Sequence, residues 1–233
     1  CDPPRQALNP VFDQIERRQP ADIADLAALC HLASVSAQKR DLEETAALCA
    51  RIMESRGLDA RIIPIPEGPP VVFAERRGRS STTLLLYDHY DVQPPDPLDQ
   101  WESPPFELTD RGGRLYGRGT ADNKGTLISR LAAVSAWLDA TGELPVSVKF
   151  MVEGEEEVGS PHIDAFVQAN RSLLAAHGCL WESGGVNWQG RPVITSGLKG
   201  ILYVELEARG ANHDIHSAQA TTIVNPAWRL VWA

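Results

Sequence analysis

The sequence predicts an α/β domain in which a mostly parallel, buried sheet lies between helices. Short apolar segments with β character alternate along the chain with segments of helical periodicity, an order that is typical of such sheets. The 233 residues are 43% apolar and 23% charged, which is ordinary for a globular protein with a sizeable core.

The predicted elements follow one another along most of the chain. Helical periodicity predicts helices at 21–35, 41–56, 124–141 and 161–176. Apolar runs bounded by turn residues predict strands at 60–65, 71–75, 82–87, 146–152 and, more briefly, Cys179–Leu180.

Two stretches depart from this alternation. Residues 92–119 form a long loop rich in Pro, Asp and Gly, with a short hairpin near Arg114–Tyr116, and loops of this length are usually functional or disordered. At Gly197–Gly200 the pattern changes to ILYVELEARG, whose period of two predicts a half-exposed strand of a different sheet. We therefore expect residues 1–198 to form one domain and residues 199–233 to begin a second.

Charge and composition exclude several partners. With 22 Lys and Arg against 31 Asp and Glu, the net charge of −9 argues against a nucleic-acid partner, which would need clustered cations. No apolar stretch has the length of a membrane span, and the first residues do not form a signal peptide. The four cysteines are scattered without a CxxC pair, which favours a reducing, cytoplasmic location.

Polar side chains directly follow the predicted strand 82–87. In YDHYDVQPPD, His89 and Asp91 are two positions apart, so their side chains point the same way in an extended segment. Asp91 can then accept the proton of one imidazole nitrogen and leave the other nitrogen free for a metal. Such a triplet on its own is more often a solvated turn than a ligand pair.

Acidic residues also stand at the ends of other elements. Asp122 lies in the glycine-rich segment GRGTADNKG just before a helix, where it could simply be an N-cap. The run EGEEEVGS follows strand 146–152, and carboxylates crowded at a buried strand end repel one another unless a cation is present. One of them could bind a metal while its neighbour stays free as a base. Glu182 follows the run Cys179–Leu180.

These side chains are expected to meet, because active sites of such sheets lie at the carboxyl ends of strands. The set offers one nitrogen and three carboxylates: His89, Asp122, Glu157 and Glu182. Such ligands suit Zn²⁺, Mn²⁺ or Co²⁺, and three carboxylates also fit two cations that share one of them.

Five segments together carry a family resemblance. They are HYDVQP, YGRGTADNKG, EGEEEVGS, SGLKG and HS…NPAWRL. In this order they resemble the metallopeptidase family of aminoacylase, carnosinase-type dipeptidases and glutamate carboxypeptidase. The resemblance implies a zinc-peptidase-like α/β catalytic domain and the beginning of an α+β lid or dimerisation domain. It also implies a di-metal hydrolase of amide bonds next to a free carboxylate.

The resemblance implies a metal-binding role for four residues. His89 and Glu182 would hold one Zn²⁺ ion, and Glu157 would hold a second. Asp122 would bridge the two ions together with a water, and the peptide bond Asp122–Asn123 would be cis. Mn²⁺ or Co²⁺ could take the place of zinc.

Three further residues receive catalytic roles by the same resemblance. Asp91 would orient His89, and Glu156 would be the general base that passes a proton from the bridging water to the leaving amine. His216 would lie in the lid domain and reach across a homodimer to the developing oxyanion. The alternative for His216 is an ordinary loop histidine, since NHDIHS is very polar.

The chain departs from the family pattern at three places. Asp88 stands where the family usually has Gly, and Asn123 replaces a common second Asp that is not itself a ligand. The chain ends at Ala233, within what resembles the first lid helix, and none of its six histidines fits the family's last ligand to the Glu157 metal. We therefore expect the chain to correspond to roughly the first half of a full enzyme.

The substrate prediction rests on two features that disagree. Glu at position 182 is associated in the family with carboxypeptidases and deacylases, whereas WESPPFELTDRGGRLYGRGT resembles the dipeptidase branch. We predict hydrolysis of dipeptides or related amides. The alternatives are an N-acyl-amino-acid deacylase and, from another class, a non-catalytic metal-binding or dimerising fragment.

Overall fold

A computed structural model describes residues 8–182 and 184–233 of the chain. The chain divides into two compact units, Cys1–Pro192 and Val193–Ala233. The helices are α1 (Asn9–His31), α2 (Leu42–Ser55), α3 (Lys124–Thr141), α4 (Ile163–Ala169), α5 (Arg171–Leu174) and α6 (Pro226–Val231). The strands are β1 (Asp59–Ile65), β2 (Gly68–Arg76), β3 (Thr83–His89), β4 (Thr109–Asp110), β5 (Leu115–Tyr116), β6 (Ser147–Glu153), β7 (Gly178–Leu180), β8 (Gly185–Val186) and β9 (Pro192–Val193).

A five-stranded mixed sheet forms the centre of the first unit, in the order β1-β2-β6-β3-β7. Strand β2 pairs antiparallel with β1 and β6, while β3 pairs parallel with β6 and β7. All strands of this sheet except β2 therefore run in one direction. The predicted α/β fold with a mostly parallel sheet is confirmed.

Helices cover both faces of this sheet. Because side chains alternate between the two faces of a strand, neighbouring residues belong to different cores. Val72 and Phe150 pack with residues of α1, α2 and α3, whereas Phe73 and Met151 pack with residues of α4 and α5. None of the described helices is both long and apolar enough to cross a membrane.

Two predicted helices have different bounds in the structure. Helix α1 begins at Asn9 rather than at residue 21, because Pro20 is accommodated inside it although proline usually marks a helix start. The predicted helix 161–176 is divided at Asn170, whose backbone and side-chain N–H groups both donate to the carbonyl of Phe166 and so end α4. The hairpin predicted near Arg114–Tyr116 is the pair β4–β5.

The strand predicted for ILYVELEARG is wrong. Residues 201–210 contain no strand, and the apolar side chains of Ile201, Leu202 and Tyr203 are exposed. Alternation produces a strand only where a neighbouring edge accepts its hydrogen bonds, and no described residue pairs with this segment. The two compact units meet in the sequence at Pro192–Val193, and the domain boundary expected after residue 198 stays a prediction.

Candidate metal centre

The candidate site is built around His89, the last residue of β3. Its backbone lies opposite Glu153, the last residue of β6, so two parallel strands end side by side. The side chain of His89 is completely buried. A buried imidazole needs partners for both ring nitrogens, and the partners identify what the site can hold.

The Nδ1 atom of His89 faces Asp91. It lies 3.1 Å from the carbonyl oxygen of Asp91 and 3.3 Å from the carboxylate oxygen Oδ1. Both acceptors favour the proton on Nδ1, which leaves the lone pair of the neutral ring on Nε2. The predicted orienting contact between Asp91 and His89 is therefore present in the structure.

The Nε2 atom of His89 faces three carboxylates. The nearest oxygens are Asp122 Oδ1 at 3.0 Å, Glu182 Oε2 at 3.3 Å and Glu156 Oε2 at 3.8 Å. Ligand atoms of His89, Glu156 and Glu182 all lie within 4.8 Å of one another. Four separate segments thus converge on one nitrogen: the end of β3, the segment before α3, the turn after β6 and the segment after β7.

The charges at this point fit a bound cation. One imidazole proton cannot satisfy three carboxylates, and Glu182 Oε2 is buried without a hydrogen bond from any described residue. Burial lowers the pKa of His89, but Asp91, Glu182 and Glu156 outweigh it and raise the pKa to about 10. Burial, with repulsion from Glu156 and Asp122, raises the pKa of Glu182 to about 7. One nitrogen with several carboxylate oxygens is a donor set that suits Zn²⁺ or Mn²⁺.

Asp91 also fixes the acidic segment after β6. Its carboxylate oxygens accept the backbone N–H groups of Glu156, at 3.2 Å, and of Glu157, at 3.1 Å. One buried carboxylate therefore ties the imidazole of His89 to the turn that carries the two neighbouring glutamates.

The carboxylates of EGEEEVGS do not all enter the site. Glu153 accepts hydrogen bonds from Tyr87 and Ser160, and Glu155 lies 2.7 Å from the Nδ1 atom of His162. These partners explain how adjacent carboxylates coexist at one strand end.

Glu157 is the predicted metal ligand that the structure does not bring to His89. Its carboxylate accepts a hydrogen bond from Gln93 Nε2 at 2.9 Å. Burial raises the pKa of Glu157, and nearby Asp122 raises it further. Glu156 is instead the member of the pair whose carboxylate lies beside His89.

Asp122 does not cap α3, which was the simpler interpretation of its position. The residue before the helix is Asn123, and no side chain caps the first turn. The peptide bond Asp122–Asn123 is cis, in line with the family resemblance. Asn123 donates from Nδ2 to Asp88 Oδ1 at 3.2 Å.

Sequence reasoning missed the residues that support the site from behind. Asp88 is buried and pairs with Arg130 of α3 at 2.9 Å. Arg130 stands between the buried Leu127 and Leu131, and a charged residue in such an apolar stretch indicates a buried partner. Gln93 was also missed, although it lies within HYDVQP.

His216 belongs to the second unit and is described within that unit alone. Its side chain is exposed, and its Nδ1 atom accepts the backbone N–H of Ala218 at 3.1 Å, at the start of a short 3₁₀ turn. Its predicted catalytic role stays a prediction.

Sequence comparison identifies relatives of the chain. The model of "Peptidase family M20/M25/M40" matches residues 85–231. The chain is 33% identical to the human Beta-Ala-His dipeptidase, over 92% of its own length and 46% of that protein. It is 31% identical to the Cys-Gly metallodipeptidase of Schizosaccharomyces pombe, over 91% of its own length and 48% of that protein.

Solved structures agree with these matches. An M20 family metallo-carboxypeptidase from Sulfolobus solfataricus superposes with a TM-score of 0.75 at 34% identity, covering 90% of this chain and 48% of that one. Human carnosine dipeptidase 1 superposes with a TM-score of 0.69 at 31% identity, covering 77% of this chain and 41% of that one. The chain spans about half the length of the curated relatives that it matches.

Proposed function

Because the chain belongs to peptidase family M20/M25/M40, we propose that the protein containing it is a metal-dependent hydrolase of dipeptides. Two relatives named above are dipeptidases by name, and each is at least 31% identical to the chain. The observation that carries the proposal is the convergence of three carboxylates on His89 Nε2, an arrangement that calls for a cation.

In this proposal two Zn²⁺ ions occupy the site, with Mn²⁺ or Co²⁺ as possible substitutes. His89 and Glu182 would hold one ion, Glu157 would hold the other, and Asp122 would be shared. The exposed side chain of Asp122 and its short distance to His89 Nε2 support the shared position. When bound, the ions would supply Lewis acidity and lower the pKa of water.

Glu156 would be the general base that transfers a proton from the attacking water to the leaving amine. Its carboxylate is partly exposed, so water and substrate can reach it, and its backbone is held by Asp91. A carboxylate so placed can take a proton from the attacking water and deliver it to the leaving amine nitrogen. Asp91 would keep the Nδ1 atom of His89 protonated and its Nε2 atom directed to the ligand cluster.

The proposal extends to the rest of the chain. Residues 1–198 would be part of the catalytic domain, and residues 199–233 would begin a lid through which two copies pair, with His216 acting at the oxyanion. The compact unit Val193–Ala233 supports a second domain near this position. The free thiols of Cys30 and Cys49 fit a cytoplasmic location.

The test uses the full-length protein. It is stripped with a chelator, reconstituted with Zn²⁺, Mn²⁺ or Co²⁺, and assayed on a dipeptide panel beside a matched panel of N-acetyl amino acids. We expect hydrolysis of dipeptides that depends on added metal. Faster turnover of N-acetyl amino acids would replace the proposal with a deacylase, and no turnover of either panel by metal-loaded protein would refute both.

A further inference from the structure

The candidate ligands His89, Asp122 and Glu182 each adjoin a residue that belongs to one buried ion pair or is hydrogen-bonded to it. The pair is Asp88 with Arg130, and both side chains are largely inaccessible, at 0% and 9% exposure. The chain neighbours are Asp88 before His89, Asn123 after Asp122, and Trp181 before Glu182. The ligands thus come from separate segments that share one support.

The guanidinium of Arg130 reaches two of these segments. Its Nη1 atom lies 2.9 Å from Asp88 Oδ2 and donates to the carbonyl of Tyr87 at 2.7 Å. Its Nη2 atom donates to the carbonyl of Trp181 at 2.5 Å. The indole of Trp181 also stacks on the ring of Tyr87, with centroids 3.8 Å apart. The end of β3 is thereby joined to the segment that carries Glu182.

The carboxylate of Asp88 reaches the third segment. Its second oxygen, Oδ1, accepts the Nδ2–H of Asn123 at 3.2 Å. Asn123 follows Asp122 directly, so the same carboxylate that binds Arg130 also holds the turn that presents Asp122.

We propose that Asp88 and Arg130 are positioning residues that set the relative placement of His89, Asp122 and Glu182. The inference rests on the proposed function, because it assigns these three residues to a metal. Residues behind the ligands matter because small displacements of a ligand weaken metal binding. The planar fork of arginine suits this task, since it can donate to several fixed acceptors at once, which an ammonium group does less well.

The competing explanation is that Asp88 and Arg130 only stabilise the fold. The chain contains a second buried arginine that can serve as a control for this explanation. Arg56, at the end of α2, is 2% exposed and pairs with Asp22 at 2.7 Å and Asp25 at 2.5 Å, both in α1. The arginine is as buried as Arg130, although its two partners are more exposed than Asp88, and the cluster joins two helices. None of its residues adjoins a candidate ligand. Arg56 variants therefore report what loss of a buried arginine pair does by itself.

The experiment compares Arg130→Lys, Asp88→Asn and the control Arg56→Lys in the full-length protein. Zn²⁺ dissociation constants are measured by competition with a chromogenic chelator, at a temperature where circular dichroism shows each variant folded. Dipeptide kcat and KM are then measured in saturating Zn²⁺. We expect Arg130→Lys and Asp88→Asn to bind Zn²⁺ about 10–100-fold more weakly. Arg56→Lys should lower the thermal midpoint and leave the dissociation constant unchanged.

The outcomes separate this inference from the proposed function. Wild-type protein that neither binds Zn²⁺ nor hydrolyses dipeptides would refute the proposed function. An active wild type whose Arg130→Lys and Asp88→Asn variants bind Zn²⁺ normally, or no worse than Arg56→Lys, would overturn the positioning role. If Arg130→Lys does not fold, Asp88→Asn alone decides between weakened and unchanged Zn²⁺ binding. This variant keeps the size of the side chain, so it disturbs packing least.

Discussion

The two halves of the candidate metal centre differ in what the described residues contribute. In the His89 half, formed by His89 and Glu182, a buried nitrogen and a carboxylate face each other at 3.3 Å, with Asp122 beside them. In the Glu157 half, formed by Glu157 and Gln93, one carboxylate accepts a hydrogen bond from an amide that cannot ligate through its nitrogen.

The difference follows from the backbone that carries each side chain. His89 ends a strand that is paired with β6 up to its last residue, where it lies opposite Glu153, so its position is fixed by the sheet. Glu156 and Glu157 are consecutive residues of a short 3₁₀ turn, and their side chains leave it in different directions. One turn can therefore serve both halves, with a base on one side and a ligand on the other.

Removing metal should have the largest effect, because it empties both halves at once. We expect full-length protein treated with a chelator and then desalted to lose dipeptide hydrolysis, and to regain it with Zn²⁺, Mn²⁺ or Co²⁺. Elemental analysis during the titration should show activity rising as two metal equivalents bind. Full activity in metal-free protein would contradict the assignment of both halves.

Changing Glu156 should have the next largest effect, and on turnover alone. Glu156→Gln keeps the size of the side chain but cannot accept the proton, so kcat should fall by about 10²–10⁴. The metal content should stay at the wild-type value. Loss of a metal from this variant would mean that Glu156, which lies beside His89, is the ligand and that the roles in the acidic run are shifted by one residue.

The sequence predicts the sheet and the helix that lead to the site better than it predicts the rest. The apolar runs of β3 and β6 and the helix α3 are each bounded by turn residues, so their ends lie within one or two residues of the predicted positions. The segment 201–210 has equally clear alternation and forms no strand. Strand formation depends on a pairing edge, and a pattern within one segment carries no information about that edge.

For the site, residue types and strand ends predicted that His89, Asp122 and Glu182 would meet, but not which glutamate of the acidic run would lie beside them or what holds them. His89, Asp122 and Glu182 converge as expected from their positions at the carboxyl ends of strands and before a helix. The partner of Asp88 could not be deduced, since Arg130 is 42 positions away and joins it only through packing of α3 on β3. Long-range pairs of this kind are fixed by tertiary structure, so the local sequence can indicate that a buried partner exists but not which residue it is.

Changing Glu157 tests the other half and should be partly reversible. Glu157→Gln removes a charged ligand, so one of two metal equivalents should be lost or bound weakly, and activity should recover in part at high Zn²⁺. The Glu156→Gln variant should not recover under the same conditions. A Glu157→Gln protein that keeps two tightly bound metals would place the second ion elsewhere.

Changing Asp91 should have the smallest effect and should act on both halves together. The carboxylate lies 3.3 Å from His89 Nδ1 and accepts the backbone N–H groups of Glu156 and Glu157. Asn keeps the shape but offers one oxygen acceptor in place of two, so at least one of these contacts is lost. We expect Asp91→Asn to weaken metal binding or activity by about 10–100-fold.

The matched control for this variant is Asp41→Asn. The carboxylate of Asp41 also accepts a backbone N–H, that of Ala33 at 3.1 Å, but it contacts no candidate ligand. In metal titration and dipeptide kinetics, Asp41→Asn should therefore stay close to wild type, while Asp91→Asn should be impaired. If Asp91→Asn weakened only the His89 half and left the stoichiometry of the Glu157 half intact, the two halves would be held independently. The backbone contacts from Asp91 to the acidic turn would then have no part in placing Glu157.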